Sequence, residues 1–274
     1  MMKKFCLSIL LLLCFALPLG PSAFATTFDN LVVFGDSLSD NGNVARFSDG
    51  DIWVEKLANS MKATLYDYAY GGATTGYDNP AIGSSGTGLQ WQVDGALNIG
   101  YGHTTFAGST MVSVWAGAND FLQGRLYNDA ANNIGLALES LYVDGFRDFL
   151  VPNLPNIGSA PAFQAGDPVA AAYASFWTMS FNTALAGTIS TFASTKNDVT
   201  LYDLDIYSAF SSFQVGSAAW GELFWVDGFH PSSVGHELIY GLAASAIPEP
   251  ATAILFGIGL LGITGVSRKK RLTV

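Results

Sequence analysis

A serine early in the chain and an aspartate and a histidine near its end have the side chains that nucleophilic acyl transfer requires. Ser37 lies within residues 34–40, which read FGDSLSD, directly after an apolar run. Asp227 and His230 lie far downstream, with two residues between them. A serine hydroxyl is a weak nucleophile at neutral pH, so it needs a neighbouring base, and the base needs a group that fixes its tautomer. The three residues predict a serine nucleophile, with His230 as the base and Asp227 as the acid that orients it.

Two further stretches could stabilise the negative charge that develops in such a reaction. Gly71 and Gly72 follow an apolar run, and a glycine pair lets backbone N–H groups turn towards a ligand. Asn119 follows another apolar run, and its amide is a neutral donor suited to an oxyanion. Simpler interpretations exist for single residues, since Ser37 could cap a helix and Asn119 could be a turn residue.

These residues fall where the sequence predicts that strands end. Apolar, β-branched runs predict strands at residues 30–34, 64–68, 110–115, 148–151 and 198–202. Helical composition predicts helices at residues 53–61, 130–142, 169–194 and 232–246. Apolar strands that alternate with helices indicate an α/β fold with a parallel sheet covered on both faces. Active sites of such sheets lie at the carboxyl ends of the strands, where Ser37, the glycine pair and Asn119 are expected.

The segment at residues 71–105 is rich in glycine and has little periodicity. This composition predicts a long surface excursion. Loops of such length are often lids over a binding site, and a mobile loop without a role is an equally good interpretation.

Taken together and in this order, the four stretches resemble the four sequence blocks of the GDSL lipase/esterase family, also called SGNH hydrolases. The resemblance covers residues 28–246. Residues 34–43 match the long form of the first block, which is found in plant-type lipases and in bacterial secreted lipases of that subgroup. Residues 151–158 are also similar to a plant-type segment that carries no catalytic residue.

The resemblance implies a fold and a set of site residues. The fold would be a three-layer α/β/α sandwich with a mostly parallel, five-stranded sheet, as in flavodoxin-like proteins. Ser37 would be the nucleophile, His230 its base and Asp227 the partner of the base. The oxyanion hole would consist of the N–H groups of Ser37 and Gly72 and the side chain of Asn119, although a shift by one position would select the preceding glycine.

Both ends of the chain have the composition of targeting segments. Residues 1–25 combine a charged start, an apolar core and a small-residue site that ends at Ala25, which is typical of a secretory signal peptide. Residues 248–274 contain the sequence PEP, an apolar run and four clustered cations, and they resemble the PEP-CTERM sorting signal of Gram-negative bacteria. The resemblance implies a short transmembrane segment, transient anchoring in the inner membrane and cleavage by a sorting enzyme, an exosortase. We expect one hydrolase domain at residues 26–247, secreted or held at the cell surface.

The charge of the central part disfavours nucleic acid and anionic lipid as partners. All 22 acidic residues lie between residues 26 and 250, against six of the 12 basic ones, which gives a formal charge of −16. Metal chemistry has little support, because His103 and His236 belong to no ligand motif and both cysteines lie in the signal segment. No cofactor is expected.

The leading hypothesis is a serine carboxylic ester hydrolase, a lipase or esterase, that acts through an acyl-enzyme on a lipid or an acylated carbohydrate. One alternative is an O-acetyl esterase of extracellular polysaccharide, since PEP-CTERM proteins tend to accompany exopolysaccharide production. A different class of protein, a surface or matrix protein that keeps the fold without turnover, is the other alternative. The presence of every catalytic residue argues against this last interpretation.

Overall fold

The computed structural model describes residues 28–98 and 109–248. Within these residues, five strands form one sheet in which every pairing is parallel, in the order β2-β1-β3-β4-β5. The strands are β1 (Asn30–Gly35), β2 (Thr64–Asp67), β3 (Thr110–Trp115), β4 (Asp148–Pro152) and β5 (Thr200–Leu204). The predicted α/β fold with a five-stranded parallel sheet is confirmed, and each predicted strand lies within two residues of an observed one.

The apolar character of the central strands follows from their position. Every residue of β1 and β3 is buried, because helices cover the sheet on both faces and leave neither face to solvent. The outer strands β2 and β5 are largely half-exposed, as expected at the edges of a sheet.

Nine α-helices of the described residues surround the sheet. They are α1 (Trp53–Met61), α2 (Leu89–Asn98), α3 (Ala118–Leu122), α4 (Tyr127–Asp144), α5 (Pro161–Gln164), α6 (Pro168–Ser194), α7 (Ile206–Ser211), α8 (Ala218–Gly221) and α9 (Ser233–Ala246). Helix α1 packs against α9, whereas α2, α4 and α6 pack against one another in a row. Because crossovers between parallel strands are right-handed, this strand order places the two groups on opposite faces, which completes the α/β/α sandwich.

The glycine-rich segment differs from the predicted surface excursion. Its residues 89–98 form α2, which packs against β1 and α4, with Leu89 and Val93 fully buried. Gln92 accepts a hydrogen bond from the N–H of Gly35 and donates to its C=O, both at 2.8 Å. Its side-chain amide thus binds the last residue of β1 much as a neighbouring strand would. This part of the segment is neither a lid nor a mobile loop.

The described residues contain no helix that is both long and apolar enough to cross a membrane. The transmembrane segment predicted near the C-terminus lies outside the described residues, as does the signal peptide.

His236 is a buried histidine on α9 that joins the two helices of one face. It is fully buried, and its Nδ1 accepts a hydrogen bond from the N–H of Trp53 at the start of α1. Burial lowers the pKa of His236 from 6.5 to about 3, so the folded protein holds this side chain neutral.

We predict that this histidine makes the fold sensitive to acid. The unfolded chain takes up a proton near pH 6.5 and the folded one does not, so the contribution of His236 is complete above pH 6.5 and decreases as the pH falls towards 3. Between pH 7 and pH 5 the loss is about 2 kcal/mol of unfolding free energy. Urea unfolding of the wild type and of His236→Leu at both pH values isolates this contribution from that of the carboxyl groups. An equal change in both proteins would contradict the prediction.

Candidate active site

Ser37 lies in a tight turn at the carboxyl end of β1. The C=O of Asp36 accepts hydrogen bonds from the N–H groups of Ser39 and Asp40, and the Asp36 carboxylate accepts one from Leu38. Ser37 is therefore held one residue into the turn, with 7% of its surface exposed. The simpler interpretation that Ser37 caps a helix does not apply, because the structure has a turn at this point.

Asp227 and His230 lie on the loop that precedes α9. The Oδ1 atom of Asp227 accepts hydrogen bonds from the backbone N–H groups of Phe229 and His230, at 2.9 and 3.0 Å. Its Oδ2 atom lies 2.5 Å from Nδ1 of His230, and Nε2 of His230 lies 2.8 Å from Oγ of Ser37. The structure thus brings the three predicted residues together in one chain of hydrogen bonds.

The electrostatics of this chain favour an ionised carboxylate. Partial burial acts to raise the pKa of Asp227, but the hydrogen bonds from the His230 ring and from two backbone N–H groups outweigh it, and the pKa lies below its ordinary value. A carboxylate that stays charged at neutral pH can hold His230 in the tautomer with the proton on Nδ1. Nε2 is then an acceptor facing the Ser37 hydroxyl.

Two aromatic rings, one from an early segment and one adjacent in sequence, contact the imidazole of His230. Phe47 lies 4.8 Å from the His230 ring, and Phe229 meets it edge-on at 5.2 Å. Sequence reasoning missed both, because neither belongs to a polar motif.

The N–H groups of Ser37 and Gly72 make no hydrogen bond within the described part of the chain. The N–H of Gly71, by contrast, donates to Oδ2 of Asp40 at 2.7 Å, which removes it as a donor to a ligand. Gly72 has a φ of +84°, and a Cβ atom there would lie 2.4 Å from that of Ala81, so only glycine fits. Of the two glycines, Gly72 is therefore the one with a free donor.

Asn119 lies in the first turn of α3, buried beside the same turn. Its Nδ2 atom donates to the C=O of Ala73 at 3.0 Å and to Oδ2 of Asp36 at 3.4 Å. The second of these hydrogen bonds is long and weak, so this N–H of the amide can donate to a stronger acceptor instead. Burial raises the pKa of Asp36 to about 7, which further weakens this carboxyl as an acceptor near neutral pH.

Asp40 binds the loop after β1 to the glycine pair, a role that sequence reasoning missed. Its fully buried carboxylate accepts four backbone hydrogen bonds. The donors are Gly42 at 2.8 Å, Asn43 at 2.6 Å, Val44 at 3.0 Å and Gly71 at 2.7 Å. The sequence offered one signal, since an Asp followed by Asn-Gly is a typical residue for a side chain that bonds backbone N–H groups ahead of it.

No group of three His, Cys, Asp or Glu side chains in residues 28–98 and 109–248 is placed to hold a metal ion. His103 lies outside the described residues, and His236 is buried, with its Nδ1 bonded to the N–H of Trp53.

The family model of the GDSL-like lipases and acylhydrolases matches residues 31–241, and the chain belongs to this family. A second model, the PEP-CTERM protein-sorting motif, matches residues 246–270. This motif indicates a secreted or surface protein of a Gram-negative bacterium.

Two curated proteins are similar in sequence. A phosphatidylcholine-sterol acyltransferase of Aeromonas hydrophila is 28% identical over 176 residues, covering 53% of this chain and 50% of the relative. A thermolabile hemolysin of Vibrio parahaemolyticus is 29% identical over 154 residues, covering 50% of this chain and 36% of the relative. The chain thus spans half or less of the length of the curated relatives that it matches.

Solved structures share the fold at low sequence identity. A member of the lipolytic G-D-S-L family from Veillonella parvula has a TM-score of 0.52 and 18% identity, over 79% of this chain and 96% of that one. The lipase/acylhydrolase from Enterococcus faecalis has a TM-score of 0.52 and 13% identity, over 80% and 95%. At such identities the likeness shows the fold alone.

We predict that Asp40→Asn lowers kcat for ester hydrolysis roughly tenfold or more, with KM little changed. In either orientation the amide nitrogen of the variant would face two backbone N–H donors, those of Gly42 and Asn43 or those of Val44 and Gly71. The turn that holds Gly71 would then shift, and Gly72 would move with it. Asp51→Asn, at an exposed carboxylate, is the matched control. Steady-state kinetics and melting temperature are measured together. A variant with normal kcat, or one that loses stability alone, would remove Asp40 from this role.

Proposed function

We propose that the chain is a serine carboxylic ester hydrolase that works through Ser37, His230 and Asp227 and forms an acyl-enzyme. The observation that carries the proposal is the pair of consecutive hydrogen bonds from Ser37 Oγ to His230 Nε2, at 2.8 Å, and from His230 Nδ1 to Asp227, at 2.5 Å. Membership of the GDSL-like lipase/acylhydrolase family supports the same reaction class.

In the first half of the reaction, Nε2 of His230 takes the proton of the Ser37 hydroxyl as Oγ attacks the ester carbonyl carbon. Asp227 stabilises the imidazolium that forms, through the bond to Nδ1. The tetrahedral intermediate then collapses, the bond to the alcohol oxygen breaks, and His230 returns the proton to the departing alcohol. Ser37 is left as an acyl ester.

In the second half, water attacks the acyl carbon while His230 takes one of its protons. Collapse of the second tetrahedral intermediate breaks the bond to Oγ, and the proton returns to Ser37. The products are a carboxylic acid and the free enzyme.

The developing oxyanion is held by the N–H groups of Ser37 and Gly72 and by the Asn119 amide. The two N–H groups are supported by their lack of another partner among the described residues, and Asn119 by the weakness of its bond to Asp36. Donors fixed in place before the reaction cost no reorganisation when the charge forms. The turn at Asp36 and the carboxylate of Asp40 fix two of the three.

Processing belongs to the same proposal. A signal peptide at residues 1–25 directs export, a hydrolase domain at residues 26–247 carries the activity, and a tail at residues 248–274 anchors the precursor in the inner membrane until an exosortase removes it. The sorting-motif match at residues 246–270 supports the last step. The grouping of residues 27–248 into one contact unit supports the domain bounds.

Replacement of the nucleophile is the direct test. We expect Ser37→Ala to lower the turnover of p-nitrophenyl esters by several orders of magnitude, because a triad without its nucleophile retains only binding and the oxyanion hole. Ser39→Ala is a matched control two residues away, since its hydroxyl is buried without a partner among the described residues. The proposal fails if the Ser37 variant keeps more than a few per cent of the turnover, or if the control loses activity equally.

Intact-mass measurement of protein from the native host tests the processing. We expect a mature chain that begins after Ala25 and ends near residues 248–250. A chain that retains Arg268 and the cations after it would contradict cleavage of the tail and leave a membrane-anchored enzyme.

A further inference from the structure

A row of four aromatic side chains leads away from the imidazole of His230. The distances between ring centroids are 5.2 Å from His230 to Phe229, 6.3 Å from Phe229 to Phe163 and 5.8 Å from Phe163 to Phe121. Tyr173 on α6 completes the row at 6.0 Å from Phe121. We call these four residues the aromatic row. It connects the proposed catalytic base to the outer face of α6 by ring contacts alone.

The aromatic row lies at the surface. Phe229, Phe163 and Phe121 are only partly buried, and Tyr173 is 58% exposed. Rings that serve only to fill a core are normally covered completely, and contiguous exposed apolar surface marks a place where another apolar group binds. The arrangement is therefore that of a binding surface.

The helix at the end of the row carries no charge. None of the 27 residues of α6 is Asp, Glu, Lys or Arg, although the chain as a whole carries a formal charge of −10. Val169, Phe176 and Met179 are exposed on this helix near Tyr173. Along α6 itself a ligand meets hydrocarbon and neutral groups, which suits an uncharged apolar chain. The carboxylate before the helix, that of Asp167, is bonded to the N–H of Val169 as its N-cap.

A cavity of about 300 Å³ opens beside the row. It is lined by Phe163 and Gln164 and, from the first part of α6, by Pro168, Ala171, Ala172 and Ser175. This volume is at the lower end of the range for small-molecule sites, which lie at about 300–1,000 Å³ and are mostly apolar. The aromatic row therefore adjoins a cavity that can hold part of a ligand.

We propose that the aromatic row binds a long hydrocarbon chain of the ester that Ser37 cleaves. The inference rests on the proposed function and names its substrate class, long-chain rather than acetyl esters. Because the row begins in contact with the catalytic imidazole, its occupant is the substrate itself and not a separate partner. This hydrocarbon chain belongs either to the acyl group or to the alcohol of the ester, since the two have the same chemistry at these rings.

An acylated carbohydrate fits this surface less well. Aromatic rings can stack on sugars, but sugar hydroxyls also need hydrogen-bond partners in a buried site. The exposed residues of α6 near the row offer alanine, valine, phenylalanine and methionine side chains and the hydroxyl of Tyr173. In the adjoining cavity, Gln164 and Ser175 already donate to the backbone C=O groups of Gly158 and Ala171.

The wild-type protein gives the first test, with two ester series. One series lengthens the acyl chain of p-nitrophenyl esters from acetate to decanoate, and the other lengthens the alcohol of alkyl acetates. We expect kcat/KM to rise about two- to fourfold for each added methylene in one series, as burial of a methylene group allows. The series that rises identifies which part of the ester the row binds. A decrease with length in both series, or a preference for acetylated xylan, would overturn the proposal.

Variants of the row give the second test. Phe163→Ala and Phe121→Ala should each lower the ratio of kcat/KM for the long-chain ester to that for the acetate by at least tenfold. Phe163→Leu should restore most of that ratio, because a hydrocarbon chain needs apolar contact and not a ring. Tyr142→Ala is the matched control. Tyr142 is a half-buried aromatic residue in the last turn of α4, before the amino end of β4, whereas the site lies beyond the carboxyl ends of the strands. An unchanged ratio in both alanine variants would overturn the assignment.

The two proposals fail in distinguishable ways. A wild-type protein that hydrolyses no ester in either series refutes the proposed function. A protein that hydrolyses acetate by means of Ser37 but shows no gain with chain length leaves the proposed function intact and refutes the role of the aromatic row.

Discussion

Five parallel strands end at one edge of the sheet, and the segments beyond that edge bring together residues that lie 193 positions apart, Ser37 and His230. A parallel sheet fixes where each strand ends but leaves the loops beyond it without ladder hydrogen bonds. The residues that we propose act on a substrate lie in those loops. Their positions therefore depend on side chains that replace the missing backbone bonds.

Carboxylates provide most of these replacements. Asp40 and Asp227 each accept the N–H groups of residues that follow closely in the chain, and each extends one further bond, to Gly71 or to the His230 ring. Gln92 performs the same task for Gly35 with an amide, which can both accept and donate. The loops are thus ordered before a ligand arrives, and the entropy of ordering them is lost during folding and not during the reaction.

Apolar runs and motifs predicted the strands, the long helices and the residues around Ser37, because those signals are local. Helix α2 was missed since glycines at its start and within it hide the spacing of Leu89 and Val93, and its buried polar residue Gln92 has no pattern of its own. The hydrogen-bond partners of Asn119 could not be predicted either, because they come from segments 46 and 83 residues away in the sequence. The family resemblance already favoured Gly72, but the alternative of a shift by one position could be weighed only once Asp40 was seen to occupy the N–H of Gly71.

The long separation between the proposed nucleophile and its proposed base also sets the order in which the parts of the site form along a growing polypeptide. Ser37 and its turn can form once β1 and β3 pair, yet His230 belongs to the last loop before α9. Because the polypeptide is synthesised from its N-terminus, Ser37 is present through most of synthesis without His230 beside it. Sheets built from such distant pairings also fold slowly. Under the proposed mechanism, chemical reactivity is therefore the last property that this polypeptide acquires, after its fold is nearly complete.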